Sequence, residues 1–238
     1  IGQSIGKILH KHTLVKSLYG IDISDKNPSK FIFQFFSLGL PCDNKNYISS
    51  LESFVKKNNI DIIIPASESE IRFLTKNKIK DKIGTAILIT ASYEAELIGF
   101  DKLKTAFFLK EKKLTYPQTC LISKINSIKQ TPVICKSRQG SGSSNVHLIE
   151  DQESFDLIKK KNPDFILQEY IEDDLGEFTC GVYQSSNKEL RTIIFKRELT
   201  AGYSSYGKVV ENKEISALLR EIASGLDLKG SINVQLRL

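Results

Sequence analysis

Two hydrophobic patterns alternate along residues 1–98. Residues 61–65 contain an unbroken apolar run, which is typical of a central parallel strand covered on both faces. Residues 47–59 instead place apolar side chains at helical spacing. The predicted elements are helices over residues 1–10, 47–59 and from Ser67 onward, and strands over 17–23, 61–65 and 86–89. Strands that alternate with helices at this interval predict a small α/β unit with a parallel sheet.

The pattern changes after residue 98, where strands begin to follow one another directly. In residues 231–238 apolar and polar side chains alternate strictly, so one face of that strand is apolar. Helices are predicted after Asp101 and over 152–161 and 212–225, and strands over 133–135, 165–171, 177–183, 190–197 and 231–238. The short turn between residues 183 and 190 predicts an antiparallel hairpin, and residues 201–210, rich in Gly and Tyr, are predicted to be a mobile loop.

The amino-acid composition indicates a globular protein. The chain has 238 residues, of which 40% are hydrophobic and 26% charged, which is typical of globular domains. The formal charge of +6 is spread among acidic residues, so we expect anionic small molecules as ligands and neither nucleic acid nor membrane as partner. The four cysteines lack the spacing of a metal site, which predicts reduced thiols and a cytoplasmic protein.

One predicted strand leads directly into a loop of small residues. The apolar residues 133–135 precede Lys136, and the loop consists of Gly140, Ser141, Gly142, Ser143 and Ser144. Small residues let backbone N–H groups line an anion site, and a lysine supplies a point charge for phosphate. A plain flexible turn is the alternative, because the loop fits neither the phosphate-loop nor the dinucleotide fingerprint.

Four segments occur in an order that resembles the ATP-grasp superfamily. They are Asp101-Lys102, residues 133–136 with the loop 140–144, residues 167–171 with Glu177, and residues 230–235. The resemblance covers residues 99–238 and is greatest to the ATP-binding domains of the carbamoyl-phosphate synthase large chain and to its small stand-alone relatives.

The resemblance implies an architecture. A Rossmann-like parallel α/β domain over residues 1–98, lacking its first strand, would precede an ATP-grasp domain over residues 99–238. That second domain would consist of two α+β subdomains, a lid at about 105–167 and a C-terminal part at 168–238. We expect the chain to be truncated at both ends.

The resemblance also assigns nucleotide-binding residues. Lys102 and Lys136 would bracket the phosphates of ATP under the lid formed by residues 140–144, although Lys102 could equally be a surface lysine. Gln168 or Glu169 would meet the adenine amino group, together with backbone groups near Tyr170 and Ile171. Glu177 would hold the ribose hydroxyls, with an exposed strand end as the alternative.

The resemblance also implies which residues bind metal and substrate. Gln235 matches a glutamine that ligates Mg²⁺ in carbamoyl-phosphate synthase relatives, and an amide oxygen suits this hard cation. The family's main magnesium ligands would come after Leu238. Lys196 and Arg197 fall where the family contacts the γ-phosphate or substrate, as do Tyr203, Tyr206 and Lys208.

The implied function is an ATP-dependent ligase that uses ATP and Mg²⁺. It would phosphorylate a carboxylate, bicarbonate or carbamate to an acylphosphate, which an amine or similar nucleophile attacks. Glu68 could contact substrate, although a helix-capping role explains this region too. Since many relatives are dimers, a homodimer is also an expectation. The alternatives are a nucleotide-binding sensor or accessory subunit, and a nicotinamide-dinucleotide enzyme in which Asp22 holds a ribose.

Overall fold

A computed structural model describes residues 2–140, 145–172, 175–200 and 202–238, except for the side chain of Tyr203. The chain divides into two compact units, Ile1–Tyr93 and Glu94–Leu238. The predicted domain boundary after residue 98 and the two predicted subdomains stay predictions. Within the described ranges no helix is both long and apolar enough to cross a membrane.

The first unit combines helices with short, mostly parallel strands. Its elements are α1 (Gly2–Leu9), β1 (Tyr19–Asp22), a 3-10 helix (Pro28–Phe31), β2 (Phe35–Leu38), α2 (Tyr47–Asn58), β3 (Ile62–Ile63), α3 (Glu68–Lys76), β4 (Lys82–Ile83) and β5 (Ala86–Leu88). Strands β1 and β2 pair in parallel, as do β3 and β5. The predicted helices and the parallel pairing are therefore confirmed. Ser67 caps α3 as expected, accepting a hydrogen bond from the backbone N of Glu70.

The position of β3 differs from the prediction. It lies at the edge of a three-stranded sheet of order β3-β5-β4, and Ile62 is 53% exposed. Within the described residues, the prediction of a central strand covered on both faces is wrong. The physical reason is that an apolar run specifies strand conformation but does not specify how many neighbours the strand will have.

The second unit contains two four-stranded antiparallel sheets. Its elements are α4 (Tyr93–Gly99), α5 (Lys102–Glu111), β6 (Thr119–Leu121), a 3-10 helix (Ile122–Lys124), β7 (Val133–Lys136), β8 (Val146–Ile149), α6 (Gln152–Lys161), β9 (Ile166–Glu169), β10 (Glu177–Gln184), β11 (Leu190–Thr200), β12 (Tyr203–Val209), α7 (Lys213–Gly225) and β13 (Gly230–Arg237). The first sheet has the order β6-β9-β7-β8 and the second the order β12-β11-β10-β13. All pairs in both sheets are antiparallel.

Each sheet of this unit buries one face. The other face is largely polar in the second sheet, whereas in the first sheet it carries Ile134, Leu148 and the buried Ile166 beside Lys136 and Gln168. In the first sheet Cys135 and Leu167 are buried in one hydrophobic cluster with Phe155 of α6. In the second sheet the alternate residues of β10 (Phe178, Cys180 and Val182) are buried. Helix α7 packs on β10 and β11 and buries Ile215, Leu219 and Ile222. The polar residues of the opposite faces are therefore left to carry the chemistry.

Residues 203–209 form strand β12, so the prediction of a loop over residues 201–210 is wrong for this stretch. The strand pairs with β11 across an irregularity at Glu198/Leu199. Tyr and Ser residues are compatible with a strand that has one exposed face, provided that a partner strand is available. The glycines obscured that preference in the sequence. Ala201 lies outside the described residues.

Asp101 ties the start of α5 to the segment that follows β7. It is 4% exposed, and its Oδ1 accepts hydrogen bonds from the backbone N of Leu103 at 3.0 Å and of Lys104 at 3.3 Å. The same carboxylate forms an ion pair with the guanidinium of Arg138. Burial raises the pKa of Asp101, but the bonds from Arg138 and the two amides outweigh burial and hold that pKa below its usual range.

We expect Asp101→Ala to lower the free energy of unfolding by about 2–3 kcal/mol, because it removes a helix cap and leaves Arg138 unpaired. Asp151→Ala is the matched control, since Asp151 is an exposed cap of α6 whose carboxylate accepts hydrogen bonds from the first turn of that helix. Urea denaturation should show a clearly smaller loss for the control. Equal losses in the two variants would mean that the pair with Arg138 contributes nothing.

Candidate functional site

Lys136 ends β7 on the face of the first sheet opposite to the buried Cys135, and it is partly buried. Its Nζ donates a hydrogen bond to Oε1 of Gln168 at 2.6 Å, and Nε2 of Gln168 donates to Oγ1 of Thr119 at 2.7 Å. Ile134 lies opposite Gln168 in the register, which makes Lys136 and Gln168 diagonal neighbours on one face. Thr119 thus holds one end of the Gln168 amide, and the other end orients the ammonium of Lys136.

The electrostatic environment of Lys136 favours its neutral form. Burial, followed by the positive charges of Lys102 and Arg237, lowers the pKa of Lys136 from 10.5 to about 8. Lys102 and Arg237 are therefore close enough for their positive charges to destabilise the ammonium of Lys136. A bound anion would raise the pKa of Lys136 again, because a nearby negative charge favours the charged ammonium.

Lys102 is the first residue of α5 and contacts the loop after β7. Its backbone N donates to the carbonyl of Arg138 at 3.0 Å, and its Nζ donates to the carbonyl of Gly140 at 2.9 Å. Gly140 has a φ of +96°, which favours glycine. The structure therefore brings Lys102, Lys136 and the first loop residue to one region. The other predicted lid residues, Ser141, Gly142, Ser143 and Ser144, lie outside the described residues.

The residues predicted to meet adenine lie at the end of β9, where Glu169 is opposite Val133, at the other end of β7 from Lys136. Glu169 is exposed, and its Oε2 accepts a hydrogen bond from the backbone N of Gln118 at 3.0 Å. Tyr170 and Ile171 are partly buried, and the carbonyl of Ile171 accepts a bond from Nη1 of Arg237 at 2.9 Å. Because neighbouring residues of a strand point to opposite faces, Gln168 and Glu169 do not share a face.

Glu177 lies between two arginines of neighbouring strands. In the register it is directly opposite Arg197 of β11 and Arg237 of β13. Nε and Nη2 of Arg197 donate to Oε1 of Glu177 at 3.1 and 2.6 Å. Nε and Nη2 of Arg237 donate to Oε2 at 3.2 and 3.0 Å. The side chains of Arg197, Glu177 and Arg237 are 10%, 14% and 36% exposed, so the pair of Glu177 with Arg197 is shielded from solvent and the pair with Arg237 is partly open to it.

Gln235 joins the same face through Arg197. Its Oε1 accepts a bond from Nη2 of Arg197 at 3.1 Å, and Nη1 of Arg197 donates to Oγ of Ser204 at 3.2 Å. Among the described residues no group of three or more His, Cys, Asp or Glu side chains could hold a metal ion. Within the described residues, Gln235 could contribute to a Mg²⁺ site only if the ion displaced the guanidinium of Arg197 from its side-chain oxygen. The predicted metal role of Gln235 stays a prediction.

Lys196 lies on the other face of the second sheet. Strand alternation places it with Lys208, its partner in the register, and away from Arg197. Its side chain passes so close to Gly176 that a Cβ there would lie 2.5 Å from Cε of Lys196. The structure thus brings Arg197, but not Lys196, together with Glu177 and Gln235. Tyr206 falls on the Lys196 face, and the predicted catalytic roles of Lys196 and Arg197 stay untested.

Several residues of the site were missed in the sequence. Arg237 stands in a strictly alternating strand, where its polar face is visible but its partner is not. Thr119, Arg138 and Ser204 reach the site only through pairing between segments distant in the chain. Local periodicity contains no signal for such pairing.

The model of the ATP-grasp domain family matches residues 100–236. The chain belongs to the ATP-grasp family. An uncharacterized protein from Mycoplasma pneumoniae is 29% identical over 136 residues, which are 57% of this chain and 45% of that protein. The chain therefore spans less than half of this curated relative.

Solved structures share the ATP-grasp fold with this chain. N5-carboxyaminoimidazole ribonucleotide synthetase from Thermus thermophilus aligns with a TM-score of 0.73 and 12% identity, over 98% of this chain and 64% of that one. The biotin carboxylase domain of 2-oxoglutarate carboxylase from Hydrogenobacter thermophilus, solved with MgADP, ADP and bicarbonate, aligns with a TM-score of 0.77 and 12% identity, over 98% and 58%. This likeness confirms the predicted fold class, and the family match over residues 100–236 confirms the predicted superfamily. The chain spans less than two thirds of either structure.

The depressed pKa of Lys136 predicts a pH-dependent stability for this ATP-grasp chain. The folded-state pKa of about 8 lies below the value of about 10.4 for an unfolded lysine. Between these values the unfolded chain binds more protons, so wild type should gain stability relative to Lys136→Met as the pH rises through this window. Urea denaturation of both proteins across the window measures the difference.

Lys136→Arg is the matched control, because a guanidinium stays protonated over this pH range. Its stability relative to Lys136→Met should not change with pH. A wild-type difference that is equally flat would contradict the depressed pKa of Lys136.

Proposed function

We propose that this chain is the nucleotide-binding part of an ATP-dependent ligase. The ligase phosphorylates a carboxylate, bicarbonate or carbamate to an acylphosphate, which an amine or similar nucleophile attacks. Membership of the ATP-grasp family supports the proposal. So does the fold shared with a synthetase and with a biotin carboxylase domain that was solved with MgADP and bicarbonate.

The observation that carries the proposal is the partly buried ammonium of Lys136, which experiences the positive charges of both Lys102 and Arg237. Such a concentration of like charge is unfavourable in the empty protein. A polyphosphate would offset it, because phosphate oxygens accept charge-assisted hydrogen bonds from lysine and arginine. The carbonyl of Gly140 holds Nζ of Lys102 beside the loop that begins there. The region thus has the charge and the backbone of a phosphate site.

Each group has a distinct part in this proposal. Lys102 and Lys136 hold the phosphate chain and offset charge that spreads over the oxygens of a transferring phosphoryl group. Gln168 orients Lys136, which leaves Glu169 and the backbone of Tyr170 and Ile171 for the adenine edge. Fixing ATP in this way converts phosphoryl transfer to a bound carboxylate into a step between oriented neighbours.

A nucleotide-binding sensor or accessory subunit is the second candidate. It is favoured by two observations within the described residues. The side-chain oxygen of Gln235 is bonded to Arg197, and the carboxylate of Glu177 is bonded to two arginines, so these oxygens are not open to a metal ion. Both candidates need the same nucleotide site and differ in whether phosphoryl transfer follows. A homodimer and a cytoplasmic location stay predictions for either one.

Nucleotide binding is tested by calorimetric titration of the full-length protein with a non-hydrolysable ATP analogue. Wild type should bind, and Lys136→Met should bind at least tenfold more weakly, or about 1.4 kcal/mol, because a phosphate contact is lost. Lys104→Met removes an exposed lysine from the same helix as Lys102 and should bind like wild type. No binding by wild type would overturn both candidate functions.

Catalysis is tested by measuring ADP release from ATP by the full-length protein with Mg²⁺, a panel of carboxylates or bicarbonate, and an amine. A ligase should release ADP only when an acceptor is present, and Gln235→Leu should reduce the part of the rate that depends on Mg²⁺. Nucleotide binding without ADP release for any acceptor would favour the sensor. ADP release by Gln235→Leu with an unchanged magnesium dependence would contradict the metal role of Gln235.

A further inference from the structure

The carboxylate of Glu177 has no acceptor position left for a ligand. An ionised carboxylate offers about four acceptor positions, and Glu177 accepts four hydrogen bonds from its two arginines. A ribose hydroxyl could donate to this carboxylate only by displacing a guanidinium. Breaking a shielded, charge-assisted pair in exchange for a neutral hydroxyl is unfavourable.

The arginines, in contrast, keep N–H donors for a ligand, since bonds to the described residues leave one on Arg197 and two on Arg237. A guanidinium carries five N–H groups, and Arg237 uses three of them on Glu177 and the carbonyl of Ile171. Within the described residues Glu177 is the only carboxylate bonded to either arginine, so the row keeps a net positive charge. Its guanidinium groups are fixed by the cross-strand register and need little ordering when an anion binds.

Arg237 also lies where a nucleotide would pass. It bonds to the carbonyl of Ile171, at the edge proposed for adenine, and its charge acts on Lys136, at the site proposed for phosphate. Gln235 lies two residues before Arg237 on the same face of β13, and its side chain is bonded to Arg197. Arg237 therefore borders the same region as Lys136, and Arg197 is joined to Arg237 through Glu177.

We propose that Arg197 and Arg237 form a clamp, here called the arginine clamp, for the phosphate groups of a nucleoside triphosphate. Glu177 is the positioning residue that holds both guanidinium groups and does not bind the ribose. This inference rests on the proposed nucleotide site and replaces the ribose role that the family resemblance implies for Glu177.

A structural role is the competing explanation. A row of alternating charges across β11, β10 and β13 could serve only to hold the three strands together. Such a row would affect the free energy of unfolding but not the affinity for free polyphosphate. The two explanations therefore separate in a binding experiment with a matched control.

The first arm uses inorganic tripolyphosphate with the full-length protein. Arg237→Gln should weaken tripolyphosphate binding at least tenfold. Arg237→Lys should weaken it less, because charge is kept while the fork geometry is lost. Arg191→Gln removes an exposed arginine from the same face of β11, away from the row, and should bind like wild type. Unchanged tripolyphosphate affinity in both Arg237 variants would overturn the clamp, and Arg237→Lys keeps the test decisive if Arg237→Gln does not fold.

The second arm compares a non-hydrolysable ATP analogue with its 2′-deoxy form. If Glu177 positions the arginines, Glu177→Gln should keep the wild-type ratio of the two affinities. A ratio that falls towards one in Glu177→Gln would show a ribose contact and overturn the assignment. Wild type that binds neither tripolyphosphate nor the ATP analogue would instead overturn the proposed function itself, so the two failures are distinguishable.

Discussion

The constraint on which this structure depends is the gathering of positive charge around the partly buried ammonium of Lys136. Burial, followed by the charges of Lys102 and Arg237 on other elements, lowers its pKa to about 8. Like charges approach only where the fold holds them, because each would otherwise turn towards water. The hydrogen bond from Lys136 to Gln168 and that from Lys102 to Gly140 are the local restraints. A polyphosphate ligand would turn this unfavourable arrangement into a favourable one.

The two antiparallel sheets of the second unit provide the frame for these charges. The second sheet buries alternate residues, as Phe178, Cys180 and Val182 do in β10, and presents the intervening residues on its other face. The same alternation that builds the core thus aligns Glu177 with Arg197 and Arg237. Stability and site geometry share one cause, because any slip in register would move both the core residues and the arginines.

Much of the fold could be predicted where periodicity is strong and local. Helices α2, α6 and α7 and strands β10 and β13 were predicted from the spacing of their apolar residues alone. Strand β12 was missed because its Tyr and Ser residues form a strand only beside β11. The edge position of β3 was missed because an apolar run does not report its neighbours. The ATP-grasp family was recognised from the order of four short segments, none of which identifies it alone.

The sequence by itself determined which faces of β10 and β13 are apolar, the cap that Asp101 places before Lys102, and the lysine that follows the apolar residues 133–135. These features depend on residues within one or two turns of each other. Only the tertiary structure decided that Glu177 bonds to arginines 20 and 60 residues away, and that Gln168 turns to Lys136 across 32 residues. Register between distant strands sets such partners. That register follows from the packing of whole sheets, which no local spacing encodes.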